Sequence, residues 1–320
     1  MQVIHLKYPI DLNDKTIDQA PKVFALGFFD GVHLGHQAVI QRALAIGKQR
    51  QLPVAVMTFD KYPGIVFHKV DADNFDYLTT LARKEQLMAE MGVDALYVVD
   101  FTSKVGHLTP QAFVDQFLVD LGTRVAVAGF DYTYGKPDVA NMTCLPDYAQ
   151  GRFEVVQVAE QKLGPEKISS SKIRADLDHG NVDEANKFLG YVYQTSGIVV
   201  HGEARGRELG YPTANIKTTD GERLPGIGIY ATEILVDGHW YPAMTSVGRN
   251  ITFGDQRPVT VEVNLFDFHQ DIYGENIELR WNHWLRGEVK FTGANALIEQ
   301  LAQDEQESRA YFAKQAANHQ

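Results

Sequence analysis

The chain has 320 residues, of which 44% are hydrophobic, so it holds enough material for two domains of ordinary size. Its formal net charge of −11 argues against the broad basic surface of a nucleic-acid-binding protein and favours small-molecule partners. Cys144 is its only cysteine, which excludes an intrachain disulfide and a cysteine-rich zinc site.

The N-terminal segment, residues 1–12, carries charges at Lys7 and Asp11 and lacks the long apolar stretch of a signal peptide. No apolar run elsewhere approaches the ~20 residues that span a bilayer. The single cysteine fits a reducing compartment. We therefore expect a cytoplasmic protein that does not contact a membrane.

A glycine-rich stretch, residues 27–36, follows an apolar run and precedes a segment whose apolar residues recur at helical spacing. A strand, a turn and a helix in this order present backbone N–H groups and the positive end of a helix dipole to phosphate. Gly31 and Gly35 let the backbone approach a ligand, and His33 and His36 can donate hydrogen bonds to a polyphosphate. The alternative is a tight turn with two partly exposed histidines and no ligand.

Short apolar runs alternate with helical patterns in the first half of the chain. Such strands, joined by helices, predict an α/β domain with a parallel sheet covered on both faces. The ligands of these sheets lie beyond the carboxyl ends of the strands. The predicted strands are 23–26, 54–59, 95–101, 125–130 and 153–158, and the predicted helices are 36–50, 80–91 and 109–121.

Three further loops carry polar and aromatic side chains at or just past these strand ends. Taken alone, residues 59–63 and 129–135 are each better explained by an ordinary loop with an aspartate turn than by a binding site. In residues 168–174, a serine run and Arg174 either cap a helix or hold phosphate and neutralise a departing pyrophosphate. Taken alone, this third stretch is explained equally well by a structural and by a functional interpretation.

Together these motifs resemble the FAD synthetase module of the bacterial flavin-nucleotide synthetases over residues 15–185. The shared patterns are Gly-x-Phe-Asp-Gly-x-His-x-Gly-His, a Phe-Asp-x-x-Pro loop, a Gly-x-Asp-x-x-x-Gly loop and Ile-Ser-Ser-Ser-x-Ile-Arg. The resemblance implies a Rossmann-like nucleotidyltransferase fold in which His33, His36 and Arg174 are catalytic. The nucleotide-binding residues that it implies are Gly27, Phe29, Asp30, Gly31, Gly35, Asp131, Ser169 and Ser170, and the flavin-binding residues are Phe59, Tyr132 and Tyr134.

The chain departs from this family's pattern at two loops. Lys61 and Tyr62 stand where the family carries Pro-His, and residues 136–140 read Lys-Pro-Asp-Val-Ala where a basic, glycine-containing pattern is common. Ser171 replaces a threonine and keeps the hydroxyl group. These departures leave open a monofunctional enzyme that has lost adenylyl transfer.

A change of pattern near residue 187 predicts a domain boundary, with one domain at 1–186 and a second at 187–320. Beyond the boundary, strand patterns follow one another without helices, which predicts a mainly antiparallel β-barrel closed by a terminal helix. The predicted elements are a hairpin of 229–236 and 239–247 around Asp237-Gly238, strands at 259–266 and 277–284, and a helix with Leu297, Leu301, Tyr311 and Phe312 on its apolar face.

A long polar loop, residues 202–215, lies between strands of the second half. Its Thr213 and Asn215 offer neutral oxygen ligands, which suit Mg²⁺ on a nucleotide because this ion keeps several waters and phosphate oxygens. An ordinary loop explains the same residues equally well. Glu262, in the middle of a strand pattern, is either a solvated carboxylate or the general base of a phosphoryl transfer.

The second half is similar to the riboflavin kinase module over residues 187–315. The similarity is carried by Gly-Arg-x-Leu-Gly-Tyr-Pro-Thr-Ala-Asn and by Val-Glu-Val-x-Leu-x-Asp-Phe. It implies that Thr213 and Asn215 bind Mg-ATP and that Glu262 is the catalytic base. The other residues that it singles out are Gly206 and Pro212 for the nucleotide and Tyr273 for the flavin. Asn264 stands where histidine is frequent in the family, a difference that we treat as peripheral.

Both modules, in this order, resemble the bifunctional prokaryotic riboflavin kinase/FAD synthetase family. The resemblance implies that ATP phosphorylates riboflavin to FMN and that a second ATP adenylylates FMN to FAD, releasing pyrophosphate. Riboflavin, FMN and ATP are then the partners, with Mg²⁺, and FMN and FAD are product and substrate rather than prosthetic groups. A non-enzymatic flavin-binding regulator is the other alternative. No nucleic-acid partner is expected, and an oligomer is compatible with the sequence but not evident from it.

Overall fold

The computed structural model describes residues 1–67, 75–202, 206, 209–249 and 258–318. The chain forms two compact units, Met1–Ser170 and Ser171–Gln320. The predicted domain boundary between residues 186 and 187 stays a prediction. Within the described ranges, no helix is long and apolar enough to cross a membrane.

The first unit is built on a six-stranded parallel sheet with the order β1-β4-β3-β2-β5-β6. This confirms the predicted α/β class, and the five predicted strands all form close to their expected bounds. The edge strand β1, which pairs with β4, is an addition to the predicted set. The strands are β1 (Gln2–Leu6), β2 (Lys22–Leu26), β3 (Val54–Phe59), β4 (Ala95–Val99), β5 (Thr123–Gly129) and β6 (Glu154–Val158).

Helices connect these strands, and the three predicted helices are present. The third continues from a short α-helix into a π-helix, Val114–Val119. A small hairpin of β7 (Lys162–Leu163) and β8 (Glu166–Lys167) follows the sheet. The helices are α1 (Leu34–Arg50), α2 (Pro63–Val66), α3 (Leu81–Glu90), α4 (Ser103–Gly106), α5 (Pro110–Phe113) and α6 (Leu145–Ala149).

The central strands form the core of this unit. Every residue of β2 and β3 is buried, as expected for continuous apolar runs in a sheet covered by helices. Helix α1 packs on the sheet and buries Val39, Ile40 and Ala43, three of the residues whose spacing predicted it. The packing therefore fixes the start of α1 against the end of β2.

The sheet has a topological switch point between β2 and β5. From β2 the chain proceeds to β3 and β4 on one side, and it then returns to place β5 on the other side of β2. The loops that leave these two strands diverge, and the crevice between them is where open parallel sheets bind ligands. The stretch 27–36 begins at this point.

The second unit is a closed barrel of six antiparallel strands in the order β10-β13-β12-β11-β14-β9. This confirms the predicted barrel with its terminal helix. The strands are β9 (Gln194–Val200), β10 (Ala214–Thr218), β11 (Gly228–Val236), β12 (His239–Gly248), β13 (Thr260–Leu265) and β14 (Asn276–Arg286), and the helices are α7 (Ser170–Asp178), α8 (Val182–Leu189) and α9 (Ala294–Asn318).

Local sequence accounts for the hairpin of β11 and β12. Asp237 and Gly238 both adopt left-handed backbone conformations, with φ of 50° and 78°, as a two-residue hairpin turn requires. Trp281 of β14 is fully buried in the second unit. Its indole N–H donates a hydrogen bond to the hydroxyl of Thr195 at 2.9 Å. Its polar atom is therefore satisfied inside the core.

Candidate active sites

The loop 27–33 leaves β2 in an unusual backbone conformation. Phe29, Gly31 and Val32 have φ angles of 56°, 82° and 36°, in the left-handed region that residues other than glycine rarely adopt. A Cβ on Gly27 would lie 2.8 Å from the ring of Phe29, so the ring folds back onto a position that only glycine can fill. This conformation persists only because neighbouring segments hold it.

Asp30 is the centre of that support. It is 3% exposed, and its Oδ1 accepts hydrogen bonds from the backbone N–H groups of Leu78 at 3.0 Å and Thr79 at 3.2 Å. The N–H of Gly31 donates to the Thr79 hydroxyl, and the Ser170 hydroxyl donates to the Asp30 carbonyl, both at 2.9 Å. Asp30 and Ser170, which the family resemblance assigned to nucleotide binding, thus support the loop itself.

His33 and His36 lie together at the start of α1. His33 is the N-cap residue, and its Nδ1 accepts a hydrogen bond from the backbone N–H of His36 at 3.2 Å. The two imidazole rings stack with their centroids 3.6 Å apart, and Gly35 lies directly against the His33 ring. Because Nδ1 of His33 is an acceptor here, the ring proton of the neutral form is on Nε2.

Both imidazoles are held in the neutral form. Burial lowers the pKa of His33 to about 4. Burial first, and then the neighbouring His33 and the ammonium of Lys84, lower the pKa of His36 well below its ordinary value. Each ring therefore offers one N–H donor at neutral pH rather than a positive charge.

The other predicted residues of this half lie around the neighbouring strand ends. Asp131, just after β5, is exposed, with Lys167 at 3.8 Å. Tyr132 and Tyr134 pack on the apolar core, and burial raises the pKa of both phenols. Phe59 lies within the core, with only 8% of its surface exposed. Their roles in nucleotide and flavin binding remain predictions.

Ser169 and Arg174 belong to the predicted serine-rich motif. Helix α7 begins at Ser170, so Ser169 precedes its first residue, and Arg174 follows one turn later in the second compact unit. The predicted approach of Arg174 to the two histidines therefore remains a prediction.

The unusual loop at residues 60–62 has its own partners. The Lys61 ammonium lies 2.7 Å from a carboxylate oxygen of Asp60 and 3.0 Å from one of Asp100. The ring of Tyr62 stacks on Phe75 with centroids 4.7 Å apart. The residues that replace the family's Pro-His thus make specific contacts within the first unit.

The second unit contains a cavity of about 430 Å³, a size typical of small-molecule sites. It opens between the barrel and the first turns of α9. Its lining includes four predicted site residues, Gly206, Thr213, Asn215 and Glu262, and it does not include Pro212 or Tyr273. Its other lining residues include His201, Gly202, Tyr211, Thr245, Ser246, Asn264, Arg286, Leu297, Leu301 and Asp304.

Barrel register brings the predicted polar residues together. On adjacent antiparallel strands, Asn215 lies directly opposite Glu262, and Glu262 lies opposite Ser246 on its other side. Gly202 makes room for a site side chain, because a Cβ there would lie 2.0 Å from the amide of Asn215. A Cβ on Gly206 would lie 2.2 Å from the carbonyl oxygen of Tyr211, so this glycine lets the backbone of the segment pack closely. The predicted loop 202–215 lies partly outside the described residues, at 203–205 and 207–208.

Two further residues of the cavity were given no role in the site by sequence reasoning. Asn264 is 7% exposed, and its amide donates to the carbonyl of Pro212 at 2.7 Å, so it holds the segment that carries Thr213. Arg286 forms a two-point ion pair with Asp304 of α9, which is 1% exposed. Nothing in the sequence distinguishes Asp304 from the other acidic residues of its helix, so its burial could not be predicted. Asn264 could have been noticed, because the family frequently carries histidine at this position.

Tyr273 lies beside the cavity. Its ring stacks on His201, a lining residue, with centroids 3.8 Å apart, and 40% of its surface is exposed. Among the described residues, no group of three or more His, Cys, Asp or Glu side chains could hold a metal ion.

Comparison with known proteins identifies both halves. A FAD synthetase family model matches residues 15–172, and a riboflavin kinase family model matches residues 189–312. A bifunctional riboflavin kinase/FMN adenylyltransferase from Listeria monocytogenes is 48% identical over 314 residues, covering 98% of this chain and 99% of the relative. The chain belongs to the bifunctional riboflavin kinase/FMN adenylyltransferase family.

Other members of the family are similar along nearly the whole chain. The Bacillus subtilis riboflavin kinase/FMN adenylyltransferase is 41% identical, with 98% of each chain covered, and the Escherichia coli K12 enzyme is 33% identical, with 93% of this chain and 96% of the relative covered. A crystal structure described as a macrolide-efflux protein from Streptococcus pneumoniae has a TM-score of 0.86 and 36% identity, covering 97% of this chain and 99% of the other.

A riboflavin kinase/FMN adenylyltransferase catalyses two successive transfers from ATP. Riboflavin is phosphorylated to FMN, and FMN is adenylylated to FAD. FMN is thus the product of one reaction and the substrate of the other. The presence of both modules favours the bifunctional enzyme over the kinase-only and regulator alternatives.

Proposed function

We propose that the two reactions use two separate sites, with FMN made in the barrel cavity and FAD made at the loop 27–33 and the start of α1. The observation that carries the proposal is that each matched half contains its own cluster of polar groups. Asn215 and Glu262 oppose each other in the cavity, and His33 and His36 stack at a helix N-terminus.

In the kinase reaction, Glu262 acts as the general base. Its carboxylate accepts the proton of the riboflavin 5′-hydroxyl as that oxygen bonds to the γ-phosphorus of ATP, and the bond from this phosphorus to ADP breaks. Cavity walls position the two substrates, and no covalent enzyme intermediate is needed. Gly206 and Pro212 belong to the segment that we assign to the nucleotide.

Thr213 and Asn215 are the residues that would hold Mg²⁺ with the nucleotide. The two side chains supply neutral oxygens, and Gly202 leaves space beside the amide of Asn215. This donor set fits an ion that keeps waters and takes its remaining oxygens from phosphates. When bound, the ion would neutralise charge on the β- and γ-phosphates.

In the adenylyl transfer, a phosphate oxygen of FMN bonds to the α-phosphorus of ATP, and the bond from that phosphorus to the pyrophosphate oxygen breaks. Neutral imidazole N–H groups of His33 and His36 donate to the oxygens where charge develops. The N-terminus of α1 contributes its dipole, with Gly27, Phe29, Gly31 and Gly35 forming the backbone surface. Asp131, Ser169 and Arg174 are assigned to the same nucleotide.

Aromatic residues are assigned to the flavin in each site. Phe59, Tyr132 and Tyr134 are proposed for FMN in the first unit, and Tyr273, beside His201, for riboflavin in the second. We also propose a cytoplasmic location, which the single cysteine supports, and no nucleic-acid partner, which the net charge of −11 supports.

A product assay tests the two-site proposal. Purified protein with riboflavin, ATP and Mg²⁺ should form FMN first and then FAD, as followed by chromatography over time. The variant His36→Ala should form FMN at the normal rate and no FAD. Equal loss of both products in this variant would contradict separate sites. If the unaltered protein accumulated FMN and formed no FAD, its activity would be reduced to that of a kinase.

A further inference from the structure

Lys84 of α3 is a buried lysine beside the loop 27–33. The residue is 3% exposed, and its Nζ donates to the carbonyl of Phe28 at 2.8 Å and to the hydroxyl of Thr58 at 3.3 Å. The ammonium also lies 4.5 Å from the centroid of the Phe28 ring. Buried lysines are rare because removing the ammonium from water is costly, so its position calls for a reason.

The carbonyl that Lys84 contacts belongs to the residue before the left-handed turn. Phe28 immediately precedes Phe29, whose φ of 56° begins the turn. The same carbonyl accepts a second hydrogen bond from the Thr58 hydroxyl at 2.8 Å. Two donors, one from β3 and one from α3, therefore fix the peptide that joins Phe28 to Phe29.

The segment that ends in Lys84 also fixes the next part of the loop. Backbone N–H groups of Leu78 and Thr79 donate to Asp30, and the Thr79 hydroxyl accepts from Gly31. Residues 78–84 thus hold the loop at both Phe28 and residues 30–31. A strained loop keeps one conformation only when it is over-determined in this way.

The Lys84 ammonium also places a positive charge next to the loop 27–33. Burial lowers the pKa of Lys84 to about 8, and the nearby Asp30 partly opposes this effect. The group therefore stays mostly protonated at neutral pH. Its charge contributes to keeping the adjacent His36 neutral.

We propose that Lys84 is a positioning residue of the FMN adenylyl transfer, which holds the Phe28 carbonyl and thereby keeps the loop 27–33 in the conformation that receives the ATP phosphates. Lys84 touches no substrate and acts through Phe28 and Thr58. The proposal rests on the assignment of adenylyl transfer to this loop. Because catalysis depends on alignment to within about an ångström, a relaxed loop should slow the reaction and weaken ATP binding.

The test uses the full-length chain with Lys84→Met, which keeps the length of the side chain and removes the ammonium. Adenylyl transfer is measured with supplied FMN, and riboflavin phosphorylation in the same samples is the internal reference. We expect kcat for FAD formation to fall at least ~10-fold and KM for ATP in that reaction to rise at least ~3-fold. The kinase reaction should stay within about twofold of normal.

A matched variant, Thr58→Val, removes the other donor to the same carbonyl and keeps the ammonium. It should lower kcat for FAD formation by less than Lys84→Met does. A variant that merely loses part of its folded first unit would show a lower kcat with an unchanged KM for ATP, and that result would overturn the proposal. So would a Lys84→Met enzyme with normal FAD formation.

Two further variants keep the test decisive. Lys84→Leu lacks the ammonium and carries no hydrogen-bond donor, so it is judged by the same two criteria if Lys84→Met yields too little folded protein. His36→Ala is measured in parallel to separate the two proposals. Normal FAD formation in His36→Ala would refute the assignment of the loop, whereas loss in His36→Ala with normal Lys84 variants would refute only the role of Lys84.

Discussion

The imidazole of His33 accepts a hydrogen bond from the backbone N–H of His36 at 3.2 Å, while its ring stacks on the His36 ring at 3.6 Å. One side chain thus caps α1 and orients the neighbouring imidazole. A capping acceptor stabilises the helix, and a ring N–H serves the reaction, so the two contributions can be separated by substitution.

His33→Asn and His33→Ala should separate them. Asparagine is a good N-cap residue, so His33→Asn should keep the free energy of unfolding close to normal, whereas His33→Ala should lower it by about 1 kcal/mol. Both variants lack the imidazole and should lose FAD formation while FMN formation continues. Denaturation by urea and the product assay check this, and normal FAD formation in His33→Asn would remove the ring from the reaction.

The lowered pKa of His33 predicts a pH-dependent stability. The folded value is about 4 and the ordinary value about 6.5, so between these pH values the unfolded chain binds a proton that the folded chain does not. The free energy of unfolding should therefore fall with decreasing pH. From pH 7.5 to pH 5 the expected loss from this residue is about 2 kcal/mol.

Urea unfolding of the first unit at the two pH values measures this loss. His33→Asn lacks the titrating ring, so the difference between the variant and the unaltered protein reports the contribution of His33 together with its effect on the pKa of His36. Equal pH dependence in both proteins would show that the folded state does not disfavour the protonated ring.

Glu262→Gln should affect only the kinase. The amide keeps the shape of the side chain and cannot accept the hydroxyl proton, so FMN formation should slow by ~10² to 10⁴. FAD formation from supplied FMN should remain normal. Glu233→Gln is a suitable control. The Glu233 carboxylate is also on a strand, it accepts a hydrogen bond from the side-chain amide of Asn282, and it does not line the cavity. A near-normal kinase rate in Glu262→Gln would exclude it as the base.

Local sequence patterns account for most of the fold. Apolar runs predicted the buried strands β2 and β3, and Asp237-Gly238 predicted the hairpin turn that forms. The edge strand β1 was not predicted, because a short N-terminal run finds its place only through pairing with β4. Strand order likewise depends on packing between distant segments rather than on any one run.

The supporting residues of the sites were harder to predict than the motif residues. Lys84 occupies a helical pattern in which a lysine normally faces water, and only the fold shows that it points at Phe28. Asp304 is similar, since its partner Arg286 is on a strand 18 residues earlier. Motif residues are recognised by chemical type and spacing, whereas the residues that hold them are determined by tertiary contacts.

Asn264 should matter for nucleotide binding in the kinase. Asn264→Leu removes the donor to the Pro212 carbonyl and leaves this group without its partner, a loss worth about 1–3 kcal/mol. We expect KM for ATP in FMN formation to rise ~10-fold with adenylyl transfer unaffected. Asn264→His keeps a donor and should restore much of the affinity. An unchanged KM in Asn264→Leu would show that the bond does not position the segment.

Because the second compact unit includes α7 and α8 as well as the barrel, we expect both helices to be needed for the barrel to fold. Leu177, Val182 and Phe188 are buried, and the side chain of Asn186 donates to the Trp281 carbonyl at 2.9 Å and accepts from the Tyr193 N–H at 2.7 Å. A fragment that begins at residue 187 lacks most of these groups, and losing even one or two buried apolar side chains costs several kcal/mol.

Fragments 171–320 and 187–320 compare the two boundaries directly. All three tryptophans, Trp240, Trp281 and Trp284, lie in the second unit, so their fluorescence reports its folding. We expect fragment 171–320 to show cooperative urea unfolding and FMN formation from riboflavin, and fragment 187–320 to show neither. Native fluorescence and kinase activity in the shorter fragment would place the boundary at residue 187, because the barrel would then be stable without α7 and most of α8.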